Sequence, residues 1–225
     1  MRILNGIKRY GLDVIKWICF FLLYMVVQFF WGGTLQQNQF ARLSNFVIYI
    51  LVALFVVGFL LWRYQTELDK NNPRGFGRQR LTKQRFWFMV AMVVCLGIIQ
   101  AVNIWLTIRH QLPVASNQTS VNQTIVANPI SSDIMVILVA PPVEELLFRG
   151  FFFNYLFTKP TRFNNIVGVL MSGFLFGWAH EQAFTMNLLV YMLFGCVLAY
   201  TYLHTRDIRY DIGLHFLNNF LSTFL

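Results

Sequence analysis

Phe46-Val-Ile-Tyr-Ile-Leu-Val-Ala-Leu-Phe-Val-Val-Gly-Phe-Leu-Leu-Trp62 runs for seventeen residues without a charge or a proline. As a helix rising about 1.5 Å per residue, it approaches the roughly 30 Å hydrocarbon core of a bilayer. Similar runs cover about Val14 to Trp31, Phe86 to Ile108, Ile166 to Ala179, Met186 to Leu203 and Ile212 to Leu225. Another, from about Ile134 to Phe157, is broken by Pro141-Pro142 and by charges. The last three segments of the chain are short. The pattern predicts an all-α fold, a polytopic transmembrane helical bundle of about seven spans.

Composition agrees. Of 225 residues, 57% are hydrophobic and 12% charged, and mean hydropathy is +0.55. A soluble domain carries about a quarter charged residues and cannot hide so much apolar surface. The 24 phenylalanines suit a surface bathed in lipid. Net charge is +9, but Arg63, Lys70, Arg74, Arg78, Arg80, Lys83 and Arg85 gather between two apolar runs. That is where the positive-inside rule puts a cytoplasmic loop beside anionic headgroups. The bilayer is the expected partner, and nucleic acid is not. Cys19, Cys95 and Cys196 each lie in apolar stretches and predict no disulfide framework.

Lys8, Arg9 and Lys16 place the N-terminus in the cytoplasm, ahead of a first helix too long for a signal peptide and lacking a cleavage site. Residues 111–132 are nearly uncharged and rich in Asn, Gln, Ser and Thr, as an outer linker would be. Asn117 and Asn122 are formal glycosylation acceptors there, and the plain linker is the preferred reading. Ser131, Ser132 and Asp133 are the expected N-cap of the fourth span, and Asp211 that of the seventh. Residues 1–132 carry the N-terminal helices and basic loop, and residues 133–225 carry the chemistry.

Ionisable groups inside a membrane are costly and mark function by default. Glu144, Glu145 and Arg149 follow the proline pair, His180 closes the fifth span, and His215 precedes Asn218 and Asn219. Glu145 and Arg149 stand four apart, share a helix face and can pair. Glu144 points about 100° away from Glu145. His215 and Asn219 again stand four apart. Apolar surroundings strengthen a carboxylate as a general base, and a histidine can hold the same water. A second histidine and an amide can donate to an oxyanion. No serine or cysteine nucleophile elbow is present.

Glu144-Glu-Leu-Leu-Phe-Arg149-Gly150, Phe176-Gly-Trp-Ala-His180 and His215-Phe-Leu-Asn-Asn219 resemble, in order and separation, the three motifs of the CAAX-protease and bacteriocin-processing (CPBP, Abi) family. The resemblance covers roughly Ile134 to the C-terminus. It implies a multi-pass intramembrane endopeptidase in a bacterial cell membrane, acting on a peptide or a membrane-associated protein. It makes Glu144 and His180 the water-activating residues and His215 and Asn219 the oxyanion site. Glu145, Arg149 and Phe176 then support them. The eukaryotic branch cuts prenylated CAAX tails, whereas bacterial members are linked to bacteriocin maturation or self-immunity. No cofactor is expected. A Glu/His/His set can bind zinc, but no His-Glu-x-x-His helix supplies a preformed pair of ligands.

Blander roles exist for each residue. Glu145 and Arg149 can be a structural ion pair, His180 an interfacial histidine beside Glu181, His215 a packing histidine, and the asparagines interhelical glue. Together these require three coincidences. A non-proteolytic immunity or scaffold protein would not need so costly a set. A proton-coupled transporter predicts paired broken helices, and only one break is evident. If all seven helices fully crossed, His180 and His215 would sit toward opposite faces. Their meeting therefore requires the fifth or seventh segment to be short, tilted or started within the membrane.

Overall fold

A computed structural model describes residues 2–36 and 38–223, with the side chains of residues 2–9 excepted. Among the described residues there are eight helices and no strand. They are α1 (Arg2–Gly33), α2 (Gln39–Lys70), α3 (Lys83–Ile108), α4 (Ser116–Ala127), α5 (129–155), α6 (Arg162–His180), α7 (Met186–Thr205) and α8 (Ile208–Ser222). All seven predicted segments are present as helices, and α4 is the addition. Tyr10–Gly33, Gln39–Lys70, Lys83–Ile108 and Met186–Thr205 have the length and apolarity of membrane spans. The chain is a multi-pass membrane protein. The side chains of Lys8 and Arg9, on which the predicted orientation partly rests, lie outside the described residues, as does the predicted end at Leu225.

The chain forms two compact units, Met1–Arg74 with Thr124–Lys159 and Gly75–Gln123 with Pro160–Leu225. In the first, α1 runs antiparallel to α5. Tyr10 donates to the Leu156 carbonyl at 2.9 Å and the Trp17 indole to the Leu147 carbonyl at 2.8 Å. Tyr24 donates to Glu144 at 2.8 Å, and the Thr34 and Ser131 hydroxyls share a hydrogen bond of 2.7 Å. Helix α2 buries Tyr49, Ala53, Val56, Leu60, Tyr64 and Leu68, a stripe at helical spacing. Its other faces expose Leu51, Leu54, Phe55 and Leu61, an apolar exterior suited to lipid.

Helix α5 corrects the expectation of a break at Pro141-Pro142. The prolines sit in an α-helical turn, Ala140–Glu145, flanked by π-helical turns at Ile134–Val139 and Leu146–Phe151. A proline removes an i→i−4 hydrogen bond and crowds the carbonyl one turn back. A wider turn relieves the crowding without ending the helix. The Trp17 indole gives the Leu147 carbonyl a donor from outside the helix. The cap is also corrected. Asn128 caps α5, its Oδ1 accepting from Ser131 N at 3.3 Å, with Pro129 in the first turn. Ser131 is thereby freed to bond Thr34.

The second unit is organised by α6 against α7. A Cβ on Gly173 would run into Cys196 Sγ and lie 2.8 Å from the Met192 carbonyl. One on Gly177 would lie 2.9 Å from Met192 N, and one on Gly195 2.9 Å from Gly173 Cα. Gly173-x-x-x-Gly177 is thus a small-residue seam, the device by which membrane helices approach closely. Residues 116–127, expected as linker, are helical: Glu181 Oε2 accepts from Ser116 N and Oγ at 3.1 and 3.0 Å, a carboxylate at a helix N-terminus.

Helix α8 begins four residues earlier than predicted. Asp207 caps it, accepting from Arg209 N, whereas Asp211 is buried within the first turn. Arg206 turns the corner with φ of 59°, and Gly77, with φ of 141°, donates to its carbonyl at 2.8 Å. Asp207 also accepts from Gln79 N at 2.8 Å and from the Arg209 guanidinium at 2.6 Å. Fifteen residues make α8 about 22 Å long, shorter than the hydrocarbon core. One predicted escape from the depth problem, a short seventh segment, is present.

Burial alone would push the Asp207 carboxyl upward, but the hydrogen bonds from Arg209 and Gln79, with the Arg209 charge, outweigh it and hold it below its ordinary value. A carboxyl depressed by folding contributes stability above its unfolded value, about pH 3.9, which is lost as pH falls through the folded value. Asp207→Asn should therefore lower the unfolding midpoint in detergent at pH 7, and the gap to wild type should close toward pH 3. Gly173→Ala should cost about 1–3 kcal/mol by overpacking the α6–α7 seam. Gly58→Ala, whose Cβ meets nothing within 4 Å, should be neutral or better in the same thermal-unfolding assay.

Candidate active site

Five of the seven predicted site residues are buried: Glu144, Glu145, Arg149, Phe176 and His215. Helix α5 of the first unit carries the acidic group. Glu145 and Arg149 are both 0% exposed, with Arg149 Nη1 3.1 Å from Glu145 Oε1. The guanidinium also lies 5.9 Å from the Phe148 ring centroid. The four-residue spacing read from the sequence therefore forms the expected pair. Two ions in an apolar interior repay their desolvation only by such close, hydrogen-bonded contact. Glu144, 7% exposed, takes a different partner: its Oε1 accepts from the Tyr24 hydroxyl of α1 at 2.8 Å. Adjacent carboxylates thus meet a cation in one case and a neutral donor in the other.

Helices α6 and α8 of the second unit carry the imidazoles. Phe176 stacks on His180, with centroids 4.3 Å apart. Tyr191 of α7 covers His180 at 4.9 Å. Phe176 also meets His215 edge-on at 5.7 Å, and Phe194 meets the same imidazole at 5.9 Å. One phenyl ring therefore packs against both histidines. His180 Nδ1 lies 2.8 Å from the Phe176 carbonyl. A carbonyl can only accept, so Nδ1 carries the proton, and Nε2 is the basic nitrogen of the neutral ring. On α8, one turn beyond His215, Asn219 Oδ1 accepts from Asn218 at 3.3 Å, which directs the Asn219 amide elsewhere as a donor.

The chain thus assembles Glu144, Glu145 and Arg149 in one unit and Phe176, His180, His215 and Asn219 in the other. Tyr24, Tyr191, Phe194 and the glycines of the α6–α7 seam belong to these clusters and were missed in the sequence. Only the glycines carried a clear signal, their four-residue spacing. Among the described residues, no three His, Cys, Asp or Glu side chains gather as the ligands of one metal ion would.

Breaking the acidic cluster at its cation should be severe. Arg149→Met leaves Glu145 as an uncompensated charge in the interior, and the expected loss is about 3–5 kcal/mol. The double substitution Glu145→Gln with Arg149→Met should recover most of it, as read by thermal unfolding in detergent.

Residues 127–221 match a protein-family model described as type II CAAX prenyl endopeptidase Rce1-like. The chain is also 23% identical over 184 residues to the UPF0177 protein YvdC of Lactococcus lactis subsp. lactis (strain IL1403). That similarity covers 81% of this chain but 66% of the relative, just under two thirds of its length. No solved structure matches. The match encloses every motif residue from Glu144 to Asn219, so that residues 127–221 are similar to the Rce1-like type II CAAX prenyl endopeptidases.

Proposed function

We propose that the protein is an intramembrane endopeptidase that hydrolyses a peptide bond with water activated by Glu144 and His180. The observation that carries this reading is the separate treatment of two adjacent carboxylates. Arg149 pairs with Glu145, while Glu144 accepts a hydrogen bond from the Tyr24 phenol, which orients it. A buried carboxylate so held is suited to general-base work. His180, with its tautomer set by the Phe176 carbonyl, offers Nε2 as a second acceptor for the same water.

The proposed steps balance simply. Water gives a proton to Glu144 as its oxygen adds to the substrate carbonyl. His215 and the Asn219 amide donate to the resulting oxyanion, where fixed donors in a dry site are worth most. The intermediate then expels the amine as the C–N bond breaks, and the proton on Glu144 passes to that amine. Glu145 and Arg149 keep α5 in register beneath the reacting carboxylate. No step of this mechanism calls on a metal. The substrate class is a peptide or a membrane-associated protein segment, and bacteriocin maturation or self-immunity is the biological setting the motifs favour. The basic residues between α2 and α3 favour a cytoplasmic N-terminus.

Purified protein in liposomes should cleave members of a quenched fluorescent peptide library. Glu144→Gln and His180→Ala should each lower the rate at least about 100-fold, and chelator should leave wild type unaffected. Loss on chelation, restored by zinc, would replace the metal-free mechanism. Variants that cut as well as wild type, or a wild type that cuts nothing, would move the protein to a binding or scaffold role.

A further inference from the structure

We propose that Tyr24 of α1 is a positioning residue for Glu144, so that the N-terminal helix, outside the family-matched segment, completes the hydrolytic machinery. The inference rests on the protease reading above.

Tyr24 and Gln28 are polar residues one turn apart in an otherwise apolar stretch from Trp17 to Trp31. Tyr24 is buried, 5% exposed, and a phenol in that setting needs a partner. Its hydroxyl donates to Glu144 Oε1 at 2.8 Å. A phenol has one proton. That proton is directed at Glu144, so the phenol acts toward the carboxylate as a donor.

The helix that carries Tyr24 cannot drift along α5. Trp17, two turns before it, is tied to the Leu147 carbonyl at 2.8 Å. Thr34, about 15 Å beyond it along the axis, is tied to Ser131 at 2.7 Å. Both ties flank the Tyr24–Glu144 contact on the same pair of helices. A glutamate has three rotatable bonds, and fixing one oxygen by a charge-assisted bond selects among its rotamers. With Oε1 committed to Tyr24, the proton from the attacking water goes to Oε2.

Tyr24→Phe removes only the hydroxyl. It should lower kcat about 10- to 100-fold, the worth of a hydrogen bond to a charged group, with KM changed less than about twofold. Installing 3-fluorotyrosine at position 24 should restore kcat. Tyr49→Phe makes the same excision at a buried hydroxyl without a hydrogen-bond partner among the described residues, and should leave both constants unchanged. The fluorine resonance of 3-fluorotyrosine at position 24 should shift when Glu144→Gln is added, a readout independent of turnover. An active wild type with an unchanged kcat in Tyr24→Phe overturns this inference alone. So does a fall in kcat that 3-fluorotyrosine does not restore, which marks a structural role. A wild type that cleaves nothing overturns the protease reading and the positioning role with it, while the fluorine shift still reports whether hydroxyl and carboxylate meet.

Discussion

A carboxylate and a guanidinium, both without solvent exposure, face each other at 3.1 Å in a chain that is 57% hydrophobic. The Glu145–Arg149 pair is the constraint that the first unit is built to meet. Moving either ion alone into an apolar interior costs several kcal/mol, and only tight pairing with further hydrogen bonds makes the position tolerable. The helix bearing the pair must therefore be covered on several sides. Helix α1 does this with hydrogen bonds spaced from Tyr10 to Thr34, and α2 with Tyr64, whose ring lies 3.0 Å from where a Gly150 side chain would begin. No bulkier residue than glycine fits there without displacing that ring.

The second unit solves a different problem. In lipid, two apolar helices gain little hydrophobic advantage from touching, and association depends on packing and small residues. Gly173, Gly177 and Gly195 let α6 and α7 approach until backbone meets backbone. That closeness brings Tyr191 and Phe194 of α7 onto the rings of His180 and His215. Packing and chemistry are therefore one arrangement: the seam that holds the helices together also fixes the aromatic walls of the imidazoles.

The helix content and the motif pairs were legible because they are local. A four-residue spacing dictates a shared face, so Glu145–Arg149 followed from the residues alone, while the place of Phe176 beside the histidines came from the motif resemblance. Capping was less legible. Ser131 and Asp211 are as good cap residues as Asn128 and Asp207, and the choice is made by tertiary partners: Thr34 for Ser131, and Gln79 with Arg209 for Asp207. The π-helical turns around Pro141-Pro142 were illegible for the same reason, since a proline pair specifies crowding and the surrounding helices decide whether the helix ends or widens. Helix α4 was hidden by composition. Its Asn, Gln, Ser and Thr residues compete with the backbone in isolation, and the N-terminal carboxylate that favours the helix comes from Glu181, 65 residues away. Tyr24 left a trace, a phenol one turn from an amide in an apolar run, but nothing in α1 could reveal that its partner lay 120 residues downstream.

The contrast between the two adjacent glutamates carries the argument a step further. In helical register they diverge by about 100°, so neighbouring positions sample different sides of one helix. One side meets a cation on the same helix, four residues on. The other meets a hydroxyl on α1, an interaction that exists only once the first unit has folded. The structural carboxylate is thus stabilised locally and the proposed catalytic one by tertiary contact. This ordering suits a hydrolytic group in a membrane, because the helix can be inserted with one ion already paired. Orientation of the second is completed only when α1 is in place.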